Sequence, residues 1–188
     1  MSLPEARNFF GSWRVAARLA LLSSLALASA CTVRPLYSDA PAATGAAGGT
    51  ATQLASVNIK PVNTRYGQEV RNHLIFLFNG GAGQQASAPY TMDLAVAALT
   101  ESSLVVQVTS EDDEPTAGTV TMTGSYVITE IRTGKRIAAG SRNVVASFDR
   151  PRQEFANTRA QRDAENRAAR ELAELLRLAI AQDMSKQR

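Results

Sequence analysis

Cysteine and histidine are almost absent from this chain: Cys31 and His73 are the only residues of their types. A single cysteine cannot form an intramolecular disulfide, so no disulfide framework is expected. A nucleophile that needs a histidine partner would have to use His73, which lies beside Leu74 in a segment with helical periodicity. We interpret His73 as a structural residue on the flank of a helix, and the sequence predicts no catalytic residues and no enzyme.

Long hydrophobic runs are also missing. The most apolar stretch, residues 19–30, has twelve residues and follows Arg7, Arg14 and Arg18. A membrane-spanning helix needs about twenty apolar residues, whereas a cleaved export signal combines a basic start with a shorter apolar run. The sequence therefore predicts a signal peptide over residues 1–30.

Cys31 follows the small residues Ala28, Ser29 and Ala30. This pattern resembles the bacterial lipobox, in which the cysteine is acylated and the leader is cut before it; ordinary cleavage after an A-x-A site is the alternative. Acylation would consume a thiol that otherwise stays unpaired in an oxidising compartment. Thr32, rather than aspartate, follows the cysteine. We therefore expect a protein that is lipidated at Cys31 and anchored at the periplasmic face of the cell outer membrane.

Net charge is small once the leader is removed. Residues 1–30 hold three of the 20 basic residues and one of the 17 acidic residues, which leaves 17 basic and 16 acidic residues, a net charge of +1. A balance this even gives no reason to expect nucleic acid as a partner. The acidic run at residues 111–114 lacks the alternating ligand spacing and the turn glycine of a calcium loop, so we expect a solvated loop, no metal and no cofactor.

The hydrophobic pattern predicts a flexible tether over residues 31–52 and one periplasmic domain over residues 53–188. A short strand-like run from Leu54 precedes a helix that is capped by Asn63 or Thr64 and ends at residues 79–81, where glycines stop a helix rather than cradle a phosphate.

Residues from Tyr90 to Phe148 show the period of two that is typical of strands, with a hairpin turn around Thr133 and Gly134 and a kink expected at Gly124. Beyond Pro151 the chain is helical almost to its end. The expected fold class is α+β, with two helices packed on one face of a mainly antiparallel sheet of about four strands.

The last helix is predicted to start near a capping box formed by Thr158 and Gln161. Its apolar stripe contains Phe155, Ala160, Ala164, Ala168, Leu172, Leu175, Leu176 and Ala179. Its arginines alternate with acids four residues away, such as Asp163 with Arg167 and Arg170 with Glu174, and this spacing favours a salt-bridged solvent face over an anion-binding one.

A less neutralised group of cations surrounds the hairpin turn. Arg132, Lys135 and Arg136 lie at the turn, and Arg142 lies further along the next strand. Because arginine can hold a phosphate through two parallel hydrogen bonds, the three turn residues form a candidate phosphate site. The alternative is that they only keep the turn soluble.

Short motifs at both ends of the predicted mature chain resemble one family. Residues 34–37, Arg-Pro-Leu-Tyr, follow the cysteine closely, and the last helix contains Phe155-Ala156, Arg159-Ala160, Asp163-Ala164 and Leu172-Ala173. Together with the order of elements, they resemble the lipopolysaccharide-assembly lipoprotein LptE in its alphaproteobacterial form. The resemblance implies a plug and assembly factor inside the outer-membrane β-barrel translocon LptD, in contact with lipopolysaccharide, with Arg132, Lys135 and Arg136 facing lipid A phosphates or the barrel wall.

Two other classes of function stay open at this point. One is an auxiliary lipoprotein of a lipid-trafficking ABC transporter or an activator of cell-wall synthases, which copurified partners would distinguish. The other is an anchored hydrolase, for which His73 is the only route that depends on histidine.

Overall fold

The computed structural model describes residues 49–103 and 116–186. The predicted signal peptide, Cys31 and the acidic segment 111–114 lie outside the described residues. In chain order the elements are α1 (Thr50–Ala55), β1 (Val57–Ile59), α2 (Arg65–Asn79), β2 (Tyr90–Ser103), β3 (Ala117–Glu130), β4 (Arg136–Asp149) and α3 (Glu154–Ser185). None of the helices in the two described ranges is long and apolar enough to cross a membrane.

Both ends of α2 are fixed by local chemistry. The hydroxyl of Thr64 accepts a hydrogen bond from the Gly67 backbone N–H at 3.2 Å, which satisfies one of the free donors of the first turn. At the other end Gly80 adopts a left-handed conformation with φ of 59°, and its N–H donates to the Phe76 carbonyl. The predicted cap and the predicted glycine stop are both confirmed.

The four strands form one sheet in the order β1-β2-β3-β4. β1 pairs in parallel with the start of β2, whereas β2, β3 and β4 pair antiparallel along their whole lengths. The helices pack on this sheet, so the α+β fold and the mainly antiparallel sheet are confirmed. The first element differs from the expectation: Leu54 lies in α1 rather than in a strand, and the last residues of the predicted tether, 50–52, belong to that helix.

Gly124 does not kink β3, because the register to both neighbouring strands continues through it. Its role is close packing: a Cβ at this position would lie 3.0 Å from Leu176 Cδ1 and 3.1 Å from Leu172 Cδ2, both on α3. The irregularity in the sheet comes instead at Ile128 and Thr129, next to the hairpin.

α3 starts earlier than predicted, at Glu154, with Gln153 as its N-cap and no side-chain cap. Thr158 therefore lies inside the helix, and the capping-box prediction is wrong. Phe155 is 74% exposed, because it lies nine residues before buried Ala164 and hence about half a helical turn out of phase with it. Leu175, at 36% exposed, lies at the margin of the buried face.

Replacing Gly124 by valine should weaken the packing between α3 and β3. Branched carbons would have to enter space already held by Leu172 and Leu176, and overpacking of this kind costs about 1–3 kcal/mol of unfolding free energy. Urea unfolding would measure the loss. Gly83→Ala is the matched control, since nothing lies within 4 Å of a Cβ there; equal stability of the two variants would refute the assigned role of Gly124.

Candidate functional site: the cationic tip of the β3–β4 hairpin

The candidate phosphate site lies on a tight turn between β3 and β4. Gly134 takes a φ of 68°, which favours glycine, and its N–H donates to the Glu130 carbonyl at 2.8 Å. The Glu130 N–H donates in turn to the Lys135 carbonyl at 2.9 Å. These bonds fix the backbone that carries Arg132, Lys135 and Arg136, and we call these three residues the cationic tip.

The cationic tip keeps most of its positive charge exposed. Arg132 is 83% exposed and lies 3.8 Å from the Glu130 carboxylate, which also accepts a hydrogen bond from the Thr133 hydroxyl. Lys135 and Arg136 are exposed, and within the described parts of the chain neither has an ion-pair partner. Only one of the three cations therefore lies near a carboxylate, and that carboxylate is already shared with Thr133.

An apolar side chain stands beside these cations. Ile131 is 60% exposed, and its backbone N–H donates to the Pro89 carbonyl at 2.9 Å, which ties the turn to the chain entering β2. The sequence analysis did not single out Ile131. The available signal was an isoleucine in a turn, a position that usually carries polar residues or glycine.

Arg142, the fourth cation of the sequence-based cluster, belongs to a different environment. It lies further along β4, where its guanidinium donates to the Ser141 carbonyl at 2.7 Å. It also acts electrostatically on the pair formed by Tyr126 and Asp183, whose hydroxyl and carboxylate are 2.7 Å apart. Gly140 opposite Tyr126 makes room for that ring, since a Cβ there would lie 2.7 Å from the hydroxyl oxygen.

The surroundings of Tyr126 and Asp183 shift the pKa values of the two side chains in opposite directions. Burial and the neighbouring carboxylate raise the pKa of the Tyr126 phenol well above its usual value, so it stays a donor. Partial burial of Asp183 opposes its ionisation, but the hydrogen bond from Tyr126 and the cations Lys186 and Arg142 outweigh this effect and lower its pKa. The pair joins the end of α3 to the centre of the sheet.

Tyr126→Phe should lower the unfolding free energy by about 1 kcal/mol at pH 7, the usual net contribution of one hydrogen bond. Because the pKa of Asp183 is lowered in the folded state, this contribution is fully present above the unfolded-state pKa of about 3.9, decreases below it, and is lost as pH falls through the lower folded-state pKa. Chemical unfolding at pH 7 and pH 3 tests both points. Tyr66→Phe is the control, and a pH-independent difference for Tyr126→Phe would contradict the assignment.

Two of the five arginines of α3 pair with an acid on the same helix, and one of the two predicted pairs, Asp163 with Arg167, is confirmed. Arg167 lies 3.0 Å from Asp163, and its guanidinium also donates to the Ser147 carbonyl of β4 at 2.8 Å. Glu174 pairs with Arg177 at 3.7 Å rather than with Arg170. Arg159, Arg162 and Arg170 are exposed, and within the described residues they have no ion-pair partner.

His73 occupies a structural position on α2. Its side chain is 33% exposed, and its Nε2 lies 3.4 Å from the Glu69 carboxylate one turn earlier. In residues 49–103 and 116–186 no group of three or more acidic, histidine or cysteine side chains could hold a metal ion.

Comparison with known families identifies this architecture. The model of the LptE family, described as lipopolysaccharide-assembly, matches residues 53–180. The chain belongs to the LptE family. The resemblance inferred from the short motifs is thus confirmed, and the family description is one of assembly rather than of catalysis.

A solved structure shares the fold of this LptE-family chain. A candidate lipoprotein from Caulobacter crescentus aligns with a TM-score of 0.57 at 21% identity, over 72% of this chain and 96% of that one. The rare lipoprotein B of Shewanella oneidensis aligns with a TM-score of 0.48 at 9% identity, over 70% and 97% of the two chains. No curated protein matches this chain in sequence.

Proposed function

We propose that this chain is the lipid-anchored plug and assembly factor of the outer-membrane barrel LptD, and that its cationic tip contacts the phosphates of lipopolysaccharide. Membership of the lipopolysaccharide-assembly family supports the general role. The specific role, contact with the phosphates, is supported by the cationic tip, where three exposed cations and the exposed Ile131 share one rigid turn. A ligand with phosphates next to acyl chains matches both kinds of side chain.

The direction of the chain supports the same role. Val57 pairs with Tyr90 at the start of β1, and Tyr90 pairs with Glu130 at the hairpin. The chain therefore enters the sheet at the end that carries the cationic tip. The proposed tether from Cys31 to the start of the described domain would span on the order of 20 Å, so a lipid at Cys31 would hold the tip near the membrane surface and raise its effective concentration there.

Reversing the charge of all three tip residues, with Arg132, Lys135 and Arg136 each changed to glutamate, should weaken binding to lipopolysaccharide at least tenfold. One hydrogen bond to a charged group contributes about 1.5–3 kcal/mol, and the reversal adds repulsion from the phosphates. Binding is measured on purified lipopolysaccharide and on a dephosphorylated preparation, and the wild-type protein should prefer the first.

The matched control reverses three exposed arginines of α3, Arg159, Arg162 and Arg170, and so changes the net charge equally. It should bind as the wild type does. Unchanged binding by the tip variant, or equal losses in both variants, would reject the tip as the phosphate site.

Cys31→Ser should abolish acylation and reduce association with the barrel. The test is metabolic labelling with palmitate, followed by a mild-detergent pull-down of the tagged wild-type and variant proteins from outer membranes with mass spectrometry of the partners. Recovery of a large stoichiometric β-barrel with the wild type, and much less with Cys31→Ser, is expected. Transporter or synthase subunits in place of the barrel would overturn the proposed function and leave family membership untouched.

A further inference from the structure

The outer strand β4 presents backbone groups along one edge of the sheet. The Arg150 N–H donates to the Thr116 carbonyl at 2.9 Å, which continues the register between β4 and β3 by one residue pair. Alternate residues of an antiparallel strand direct their backbone groups to opposite sides. The even-numbered residues of β4 are in phase with Arg150 and bond to β3. The odd-numbered residues therefore turn their N–H and C=O groups outward: Ser141, Asn143, Val145 and Ser147.

Two arginines donate to these outward-facing carbonyls. Arg142 Nη1 donates to the Ser141 carbonyl at 2.7 Å, and Arg167 Nη2, from α3, donates to the Ser147 carbonyl at 2.8 Å. Both arginines are exposed, and Asp163 holds the Arg167 guanidinium at 3.0 Å. Each arginine thus occupies an acceptor that an additional strand would need, and each places a positive charge beside the edge.

The outer strand on the other side of the sheet, β1, has the same kind of contact. The Lys60 N–H donates to the Met92 carbonyl of β2 at 3.0 Å, so the preceding residue, Ile59, turns its carbonyl away from β2. That carbonyl accepts hydrogen bonds from the Arg71 guanidinium at 3.0 Å and from the Gln84 amide at 3.3 Å. Arginine on an outward carbonyl is therefore a feature of both outer strands.

The segment of β4 between its two arginine contacts is suited to pairing with an identical strand. Residues 136–149 contain no proline, and unpaired backbone groups on a strand edge are a template for another chain. Two copies of one edge pair symmetrically when they run antiparallel. If the whole segment pairs, Ser141 of one copy lies opposite Ser147 of the other, and Asn143 lies opposite Val145.

The arginines oppose this pairing in two ways. The carbonyls of Ser141 and Ser147 are already bonded to guanidinium groups, which would have to leave before a strand could dock. The same register also brings Arg142 of one copy beside Arg167 of the other at both ends of the paired segment. Like charges that face each other across two strands are destabilising.

We propose that Arg142 and Arg167 block the β4 edge and so keep it from pairing with the β4 edge of a second copy of this chain. The inference is independent of the proposed function, because it concerns contacts between copies of the chain and not contacts with lipopolysaccharide or a barrel. A lipid at Cys31 would confine the copies to one membrane and raise their effective concentration. Under that condition an unblocked edge would pair more readily.

Arg142→Met combined with Arg167→Met tests the proposal, because methionine keeps an unbranched side chain but has neither the charge nor the N–H donors. Sedimentation equilibrium of the full chain in a density-matched mild detergent measures self-association. The double variant should dimerise at a concentration at least tenfold lower than the wild type does. Arg142→Lys combined with Arg167→Lys keeps both charges and should behave as the wild type does.

Two further variants separate edge pairing from general adhesion. Arg162→Met combined with Arg170→Met removes the same charge from exposed positions of α3 and should leave the wild-type behaviour unchanged. Asn143→Pro, added to the first methionine variant, removes an outward N–H without removing a bond to β3, and proline is tolerated at such positions of edge strands. It should restore the monomer.

A methionine variant of Arg142 and Arg167 that associates no more strongly than the wild type would overturn the proposal. Equal association of the α3 control, or dimers that survive Asn143→Pro, would overturn it as well. Thermal melting followed by circular dichroism verifies that each variant is folded. If the double variant is unfolded, Arg142→Met alone replaces it, because Arg142 bonds to a residue of its own strand. If Asn143→Pro unfolds the chain, Val145→Pro replaces it.

Discussion

The close packing of α3 on β3 and β4 is the constraint on which the rest of the domain depends. Its buried face consists of alanines interleaved with four larger residues: Leu172, Leu176, Ile180 and Met184. Small residues bring a helix close to its neighbour, and Gly124 on β3 gives the leucine side chains room at the point of contact. One helix of 32 residues can therefore cover two long strands, and none of the helices in the described ranges covers the opposite side of the sheet.

The sequence predicted features that depend on neighbouring residues and missed those that depend on distant ones. The cap at Thr64 and the stop at Gly80 were predictable because each is set within one turn of α2. Gly124 was misread as a kink, because a glycine that bends a strand and a glycine that admits a helix look alike in sequence. Only the position of α3, some fifty residues later, separates the two.

In the candidate site, too, the features set by near neighbours were predictable and those set by distant contacts were not. Arg132, Lys135 and Arg136 were found because a hairpin turn brings near neighbours together. Arg142 was grouped with them by proximity in sequence, but the contact between Tyr126 and Asp183 assigns it to the packing of α3.

The end of the sheet that carries the cationic tip is also the end at which the chain enters the sheet, because Val57, Tyr90 and Glu130 lie in one row. The proposed lipid anchor at Cys31 would therefore be joined to the domain beside the tip. If the chain entered at the opposite end, a strand of 14 residues, roughly 45 Å long, would separate the anchor from the tip. Chain direction and charge distribution thus support the same proposal, in which the tip acts near the membrane surface.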